Sequence, residues 1–349
     1  MQQKIIGKGI TGSWNNYLGM FAPEQRDIYF TEEYLRLNAV AGEQARAFVY
    51  TEGDKVMLFP FLAREHETCD GVKIRDFETA YGYGGPIYNT DDDAFIKKAL
   101  IAFKNEMADE GYLAGFIRFH PMLDNQRYFD MIGDVIYDRK TIAINLSAPI
   151  DDVWMNEIHT KNRNVIKKGS KEGLTFTADY EYKSLDRFKN LYTATMDKLG
   201  ADSFYYFSDE YFHNFKKLFP RSFIGCVNFE NDIIAAAIFF YDGIYGHYHL
   251  AGSDINRLSL SPNNFMLWEA AKELKKHGVK RFHLGGGTDS DESNSLFQFK
   301  RKFSKNTCDF YIGKLIFDNN TYTEVCRLWE KRNPDKAAHY GNRLLKYRY

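Results

Sequence analysis

Cysteine is scarce in this chain and never clustered. Cys69, Cys226, Cys308 and Cys326 stand far apart and form no CxxC pair; this removes a zinc framework and fits reduced thiols in a cytoplasmic protein. Long apolar runs are missing as well. Nothing approaches the ~20 residues that cross a bilayer, and the opening MQQKIIGKGI lacks the apolar core of a secretory signal. A soluble, cytoplasmic protein without a membrane span is expected. Charge of one sign is not in excess either. With a formal net charge of −1, no whole-molecule field drives tight nonspecific binding to nucleic acid or an anionic membrane, and only local basic patches remain. No Gly-x-Ser-x-Gly elbow marks a hydrolase nucleophile.

Apolar residues make up 44% and charged residues 27%, an ordinary globular balance. At 349 residues the chain exceeds what one core usually organises, so two domains are expected. The excess is aromatic: 29 Phe and 24 Tyr bring the aromatic share, with Trp, to 16%. Most such rings pack cores and half-buried strands, and the rest can line a cleft for a large polar ligand such as a sugar or nucleotide.

Local signals order the chain. Thr31 to Asn38 reads as a short helix, and Ala47 to Tyr50 and Lys55 to Leu62 read as strands turned by Glu52-Gly53-Asp54. After the glycine-rich YGYGGP (Tyr81 to Pro86), Thr90 is placed to cap a helix with Asp91, Asp92 and Asp93 in its first turn. Phe95, Ala99, Phe103 and Met107 form its buried face, and Gly111 ends it before the strand YLAGFIRF. A similar succession recurs later. The strand Ile233 to Tyr241 turns at Asp242-Gly243 into IYGHYHLAGS, Ser261 caps a helix with Pro262 at its first position, Gly278 closes it and VKRFHL follows. Hairpin, loop, capped helix, glycine and strand thus occur twice, a duplication of order rather than identity. Between the halves, Asp151 to Lys171 reads as one basic helix, and Leu185 to Leu199 and Asp209 to Leu218 as amphipathic helices. A domain border is expected near Pro149, and Thr323 to Tyr349 reads as helix packing back onto the first half.

Several constellations could carry chemistry. The loop LAGSDINRLSLSPNN sets Arg257, Ser259, Ser261 and Asn263 at a helix start, where unpaired N–H groups and the positive dipole end favour a phosphate; an ordinary N-cap explains the same residues. In HTKNRNVIKKGSKEG, Lys161, Arg163, Lys167, Lys168 and Lys171 crowd three helical turns, as solvated surface or as contacts to the phosphates of a nucleotide or tRNA end. FHLGGGTDSDESNSLFQFKRKFS opens on three glycines but is neither a P-loop nor a dinucleotide fingerprint: no Gly-Lys-Ser/Thr follows, and Asp289, Asp291 and Glu292 repel phosphate. Here Phe297, Phe299 and Phe303 alternate with Gln298, Lys300 and Lys302 on an expected amphipathic strand. If Phe299 and Phe303 are buried, Lys300 is held with little freedom and can stabilise the negative charge that develops when an amine attacks an ester or thioester. A solvated lysine is the plainer alternative.

In HYH, His247 and His249 point to one face of a strand. No third ligand stands nearby, so no metal is expected, and His249 as proton acceptor for an incoming amine is weighed against a structural role. Tyr81/Tyr83, Tyr205/Tyr206 and Tyr245/Tyr248 combine ring faces with hydroxyls suited to sugar or peptide contacts, or to core packing.

Taken together, these segments resemble the FemAB-like branch of the GNAT acyltransferases, whose best-known members add amino acids to peptidoglycan precursors. YGYGGP, a helix and FIRFHP are similar to that family's GP…helix…strand…DP region, with His120 where aspartate is frequent. KNRNVIKKGSKEGLTF resembles its K-x-x-R-x-x-I-K-K-A-x-K-x-G signature through Arg163, Ile166, Lys167, Lys168, Lys171 and Gly173. LYTATMDKLGADSFYYFSDEYF is similar to its LY…T…R…G helix and aromatic loop, with Lys198 for the commoner arginine. HLAGSDINRLSLSPNNFMLWEA and FHLGGG…FQFKRKFS resemble its last helix–strand unit and its Phe-Lys motif. The resemblance covers residues 30 to 315 in patches.

It implies an α/β fold of two tandem GNAT-like domains, each a mixed, mostly antiparallel sheet flanked by helices. Residues 1–149 with the C-terminal helix 320–349 would bind the acceptor; residues 150–319 would bind the donor and catalyse, with chemistry at the junction. The Phe-Lys motif falls on Phe299 and Lys300, where the family lysine is linked to transfer. Tyr81, Tyr83, Gly84, Tyr205, Tyr206 and Tyr248 sit in segments that line the family's acceptor cleft. The R/Q-x-x-G-x-G/A loop that cradles coenzyme A in GNAT enzymes is absent, and so is room for the helical hairpin of some tRNA-binding members. The donor is therefore acyl-CoA or aminoacyl-tRNA, a co-substrate with no permanently bound cofactor. The expected activity is amide formation between that acyl group and an amine on a cell-envelope sugar or peptidoglycan-type precursor. Its partners are a small-molecule or nucleotide-linked acceptor and, with the second donor, tRNA. The alternatives are a tRNA-dependent aminoacyltransferase of peptidoglycan bridge formation and a non-catalytic twin-GNAT binding protein.

Overall fold

The computed structural model describes residues 2–6, 13–68 and 71–349; Cys69 and residues 7–10 of the opening segment lie outside them. The other three cysteines are buried. The chain forms two compact units, Met1–Asp138 with Asp309–Tyr349, and Arg139–Cys308.

Unit 1 begins with β1 (Gln2–Ile6), α1 (Asn15–Leu18), α2 (Glu32–Asn38), β2 (Glu43–Glu52), β3 (Lys55–Glu67), β4 (Lys73–Glu78), β5 (Ile87–Tyr88), α3 (Asp93–Asp109) and β6 (Tyr112–Arg118). The chain then passes to unit 2 in the middle of β7 (Asp134–Asn145). There follow α4 (Ile150–Asn156), α5 (Thr160–Lys171), β8 (Thr175–Asp179), α6 (Leu185–Leu199), α7 (Asp209–Asn214), β9 (Ser222–Phe229), β10 (Asp232–Asp242), β11 (Tyr245–Ser253), α8 (Pro262–Lys276), β12 (Arg281–Gly286) and α9 (Ser295–Arg301). β13 (Thr307–Ile316) returns to unit 1, which ends with α10 (Asn319–Arg332) and α11 (Pro334–Tyr340).

The strand orders within the two units share one plan. Unit 1 has the order β1-β2-β3-β4-β6-β13, with β5 beside β3, antiparallel except for the parallel pair β4/β6 on either side of α3. Unit 2 has β8-β9-β10-β11-β12-β7, antiparallel except for the parallel pair β11/β12 on either side of α8. A helical crossover is what joining parallel neighbours requires. The last strand of each unit's order is exchanged in sequence: β13 follows unit 2 yet completes unit 1, and β7 follows β6 yet pairs with β12.

α3 buries Phe95, Ile96, Ala99, Leu100, Phe103 and Met107 on one face, against Phe59, Phe61 and Phe77 from the sheet. Its cap is Asp92, whose Oδ1 accepts from the N–H groups of Ala94 and Phe95. Thr90, expected to cap, instead accepts from the Asp92 N–H one turn earlier. α8 lays Met266, Leu267, Ala270, Ala271 and Leu274 on the unit 2 core.

Three further helices differ from the sequence expectation. The single basic helix over 151–171 is two helices, because local groups end one and start the next. Arg163 Nη1 donates to the carbonyls of Trp154, Met155 and Ile158 at 2.7–3.3 Å, and His159 Nδ1 accepts from the Lys161 N–H. The 209–218 segment is α7 followed by a 3-10 turn, Phe215–Leu218. The closing helix starts at Asn319, where Asp318 caps it, and Pro334 opens a separate one. Among the described residues no helix is long and apolar enough to cross a membrane.

Candidate active site

The Phe-Lys segment is helical, not extended. Asn294 Oδ1 accepts from the N–H groups of Leu296 and Phe297, and such a cap starts a helix where alternation alone suggests a strand. The helix changes which rings hold Lys300. Spacing of three puts Phe297, Lys300 and Phe303 on the buried side, at 2%, 7% and 0% exposure. Phe299 is half-buried and meets Phe303 edge-on at 5.6 Å. Lys300 Nζ donates to the Gly286 carbonyl at 2.7 Å. Gly285 has φ +78°, and a Cβ there would stand 3.1 Å from Nζ, so glycine both permits the turn and leaves room for the amine. Among the described residues Lys300 has no carboxylate partner. Burial, reinforced by Arg139, lowers its pKa to about 7, where ammonium and free amine are both populated.

The segments expected at the donor gather around the start of α8. Ser261 has φ +54° and its hydroxyl makes no capping bond; this corrects the expected side-chain cap, while Pro262 does hold the first helical position. Asn263 Oδ1 accepts from Ser253 Oγ at 2.7 Å. Arg257 and Ser259 are exposed on the 3-10 turn before Ser261, with Arg257 3.6 Å from Glu230. Lys167 is exposed on α5, 5.9 Å from the centre of the Trp154 ring, whereas the Arg163 guanidinium is engaged by the α4 carbonyls. A residue that sequence reasoning missed ties these parts together. Asn162, 1% exposed, accepts from Asn264 Nδ2 at 2.7 Å and donates to the Lys302 carbonyl at 3.3 Å. It joins α5, the first turn of α8 and the residue two beyond Lys300. Its one sequence signal was a polar residue at the position where a basic helix turns inward.

His249 lies in an aromatic box, 4.6 Å from Phe240 and 5.7 Å from Phe215 between ring centres, with the Tyr211 hydroxyl 3.3 Å from Nε2. Burial, then the neighbouring His247, lowers its pKa to about 3, so it is a weak proton acceptor near neutrality. His247 packs against His283 instead, and His283 Nε2 lies 2.9 Å from Thr141 Oγ1. Tyr248 faces the unit 2 core, 5.8 Å from Phe239, and burial raises its pKa. Tyr205 and Tyr206 are exposed at 39% and 45%, the latter bonded to Asp197.

In unit 1, YGYGGP is pinned from several sides. Tyr34 donates its hydroxyl proton to the Tyr81 carbonyl at 2.6 Å. Tyr83 is 5.5 Å from Tyr29 and 5.3 Å from Phe310. Gly84 donates its N–H to the Arg118 carbonyl and accepts from Asn125 Nδ2, both at 2.7 Å. Close by, His120 Nε2 meets Asp27 Oδ2 at 2.8 Å with both side chains fully buried. The Met122 N–H points at Nδ1 and can only donate, so Nδ1 accepts and the imidazole proton sits on Nε2.

The fold is that of two GNAT-like units in tandem. Residues 160–301 match the acetyltransferase (GNAT) domain, a span that holds α5, the β11 histidines, α8 and Lys300. Nearly the whole chain shares the fold of FemX, with a TM-score of 0.73 over 93% of this chain and 99% of FemX, at 14% identity. A conserved protein of unknown function from Bacteroides thetaiotaomicron aligns at TM-score 0.54 and 13% identity, over 89% of this chain and all of that one (100%). The C-terminal domain of a putative lysylphosphatidylglycerol synthetase from Agrobacterium fabrum aligns at 0.52 and 14% identity, over 85% and 90% of the two chains. No curated protein matches the chain by sequence. The tandem GNAT plan and the FemAB-type likeness expected from the sequence are both present in the fold.

Proposed function

We propose that the chain is an N-acyltransferase that joins an activated acyl group to a primary amine on a cell-envelope sugar or peptidoglycan-type precursor. Lys300 carries this reading: a buried lysine with no carboxylate partner among the described residues, held on the Gly286 carbonyl inside the span that matches a GNAT domain. As the amine attacks, the N–H groups of Lys300 take up charge developing on the acyl oxygen and the leaving group. Holding amine and carbonyl in contact supplies much of the remaining acceleration. The donor is acyl-CoA or aminoacyl-tRNA. Its phosphates meet Arg257, Ser259, Ser261, Asn263 and Lys167 around the start of α8, and Arg163 supports that region by fixing α4. Tyr81, Tyr83 and Gly84 serve the acceptor, and Phe299 braces the lysine helix.

The test is transfer from labelled acetyl-CoA and from charged tRNA pools to amino-sugar nucleotides and peptidoglycan precursors. Lys300→Ala should lower the rate by about 10²–10³-fold, as loss of a group stabilising a transition-state charge does. Product formed only with charged tRNA assigns the donor. A Lys300→Ala protein as active as the parent would remove the lysine from the chemistry and the reading with it.

A further inference from the structure

Two basic side chains are fixed to consecutive peptide groups of the triglycine run. Lys300 Nζ donates to the Gly286 carbonyl at 2.7 Å and Arg139 Nη1 to the Gly287 carbonyl at 3.0 Å. Each glycine is needed for this. A Cβ on Gly285 would stand 3.1 Å from Lys300 Nζ, one on Gly286 would meet the Lys140 carbonyl at 2.8 Å and Arg139 Cδ at 3.2 Å, and one on Gly287 would strike the Asn294 side chain at 2.9 Å. The GGG motif therefore admits Lys300 from α9 and Arg139 from β7 onto consecutive carbonyls.

The surroundings favour the amine over the ammonium. An ammonium brings three donors and a full charge, yet among the described residues one carbonyl receives Lys300. The three carboxylates of the loop between β12 and α9 are engaged elsewhere. Asp289 is bonded by Asn294 and the Asp291 N–H, and Asp291 by Ser293. Glu292 is paired with Lys140 of β7 at 2.8 Å and with Arg301 of α9 at 3.4 Å. A guanidinium does not lose its proton, so the charge beside Lys300 is permanent.

We propose that Arg139 is a positioning residue that fixes the Gly285–Gly287 turn and holds Lys300 as the free amine, which makes Lys300 the base of the transfer. This rests on the acyl-transfer reading of the site. As the acceptor nitrogen forms its C–N bond to the acyl carbon, Lys300 takes one proton from that nitrogen. The lysine is then an ammonium at the moment the acyl oxygen and the leaving group carry negative charge. When the C–S bond of a thioester or the C–O bond of an ester breaks, the proton passes to the departing sulfur or oxygen and Lys300 returns to the amine. Amine and acyl donor become amide and free thiol or alcohol, with no other reactant. The lowering of Lys300 to about 7, by burial first and Arg139 second, agrees with the geometry.

The experiment is a pH titration of the full chain labelled with 13C at the lysine Cε position, with the Lys300 signal identified by its loss in Lys300→Arg. The parent should titrate near 7. Arg139→Gln should move the midpoint upward by about one unit or more and cut transfer at neutral pH by about tenfold. Arg139→Lys, which keeps a charge, should leave the midpoint low. The other lysine signals report whether each variant is folded. A Lys300 midpoint in the ordinary lysine range in the parent overturns the proposal, and so does an unchanged midpoint in folded Arg139→Gln. The acyl-transfer reading fails separately: if Lys300 titrates near 7 and responds to Arg139→Gln while Lys300→Arg transfers at the parent rate, the base role falls with that reading, and the control of Lys300 by Arg139 stands.

Discussion

Arg348 grips Asp76 with two nitrogens, Nε at 3.2 Å from both carboxylate oxygens and Nη2 at 2.6 Å from Oδ1. Asp76 is fully buried in β4 and Arg348 nearly so, at 6%. The same guanidinium reaches Glu78 and, at 3.4 Å, Glu43. Glu78 in turn pairs at 3.0 Å with Arg118, which donates to the Thr79 carbonyl just ahead of YGYGGP. The closing turn of the chain is thereby bolted beneath the loop that begins the expected acceptor segment.

Arg348→Met should therefore cost unit 1 about 3–5 kcal/mol, the usual result of stripping one partner from a buried ion pair. Arg348→Lys keeps a charge but not the fork, and should fall between the two. Urea unfolding of the full chain measures both. An unchanged midpoint in Arg348→Met would mean the three carboxylates do not depend on it.

His249 gives a pH dependence with a definite sign. Its folded pKa is lowered to about 3 by burial, then by His247, while an unfolded histidine titrates near ~6.5. Above ~6.5 neither state takes the proton. Below it the unfolded chain does and the folded one does not, so stability falls by about 1.4 kcal/mol per pH unit until pH approaches 3. His249→Gln should flatten that acid limb. Parallel limbs in parent and variant, by urea unfolding at several pH values, would refute the assignment.

Gly285→Ala separates the catalytic geometry from the fold. A methyl at φ +78° is strained by roughly 1–2 kcal/mol, and it would crowd Lys300 Nζ at 3.1 Å. The unfolding midpoint should move slightly while transfer drops by tenfold or more (about 1.4 kcal/mol of barrier per tenfold). Loss of stability with transfer intact would show that the lysine tolerates displacement.

Asn162→Ala removes both bonds that join α5 to α8 and to the Lys302 carbonyl. Leaving those buried groups unmatched should cost about 1–3 kcal/mol. Asn162→Asp keeps an acceptor for Asn264 but loses the donor and buries a charge, so it should be no better. A variant as stable as the parent would make this link incidental.

The sequence by itself determined the element types and their repeated order. The 3.6-residue spacing of Phe95, Ala99, Phe103 and Met107 gave α3 because a helix face repeats locally, and α6 was legible to its end residues, Leu185–Leu199. The tandem plan followed from ordered motifs, each of which is local. Tertiary structure decided the rest, because it depends on partners distant in sequence. No local pattern says that β13 pairs with β6 or β7 with β12, or that the chain changes unit in the middle of a strand. Phe297, Phe299 and Phe303 fit a strand and a helix equally; the Asn294 cap made it a helix and turned Lys300 inward beside Phe297 and Phe303. Arg139 lies more than a hundred residues before Gly287, and only folding brings its charge to Lys300. The ionisation of a side chain follows what surrounds it in space, and sequence spacing does not contain that information.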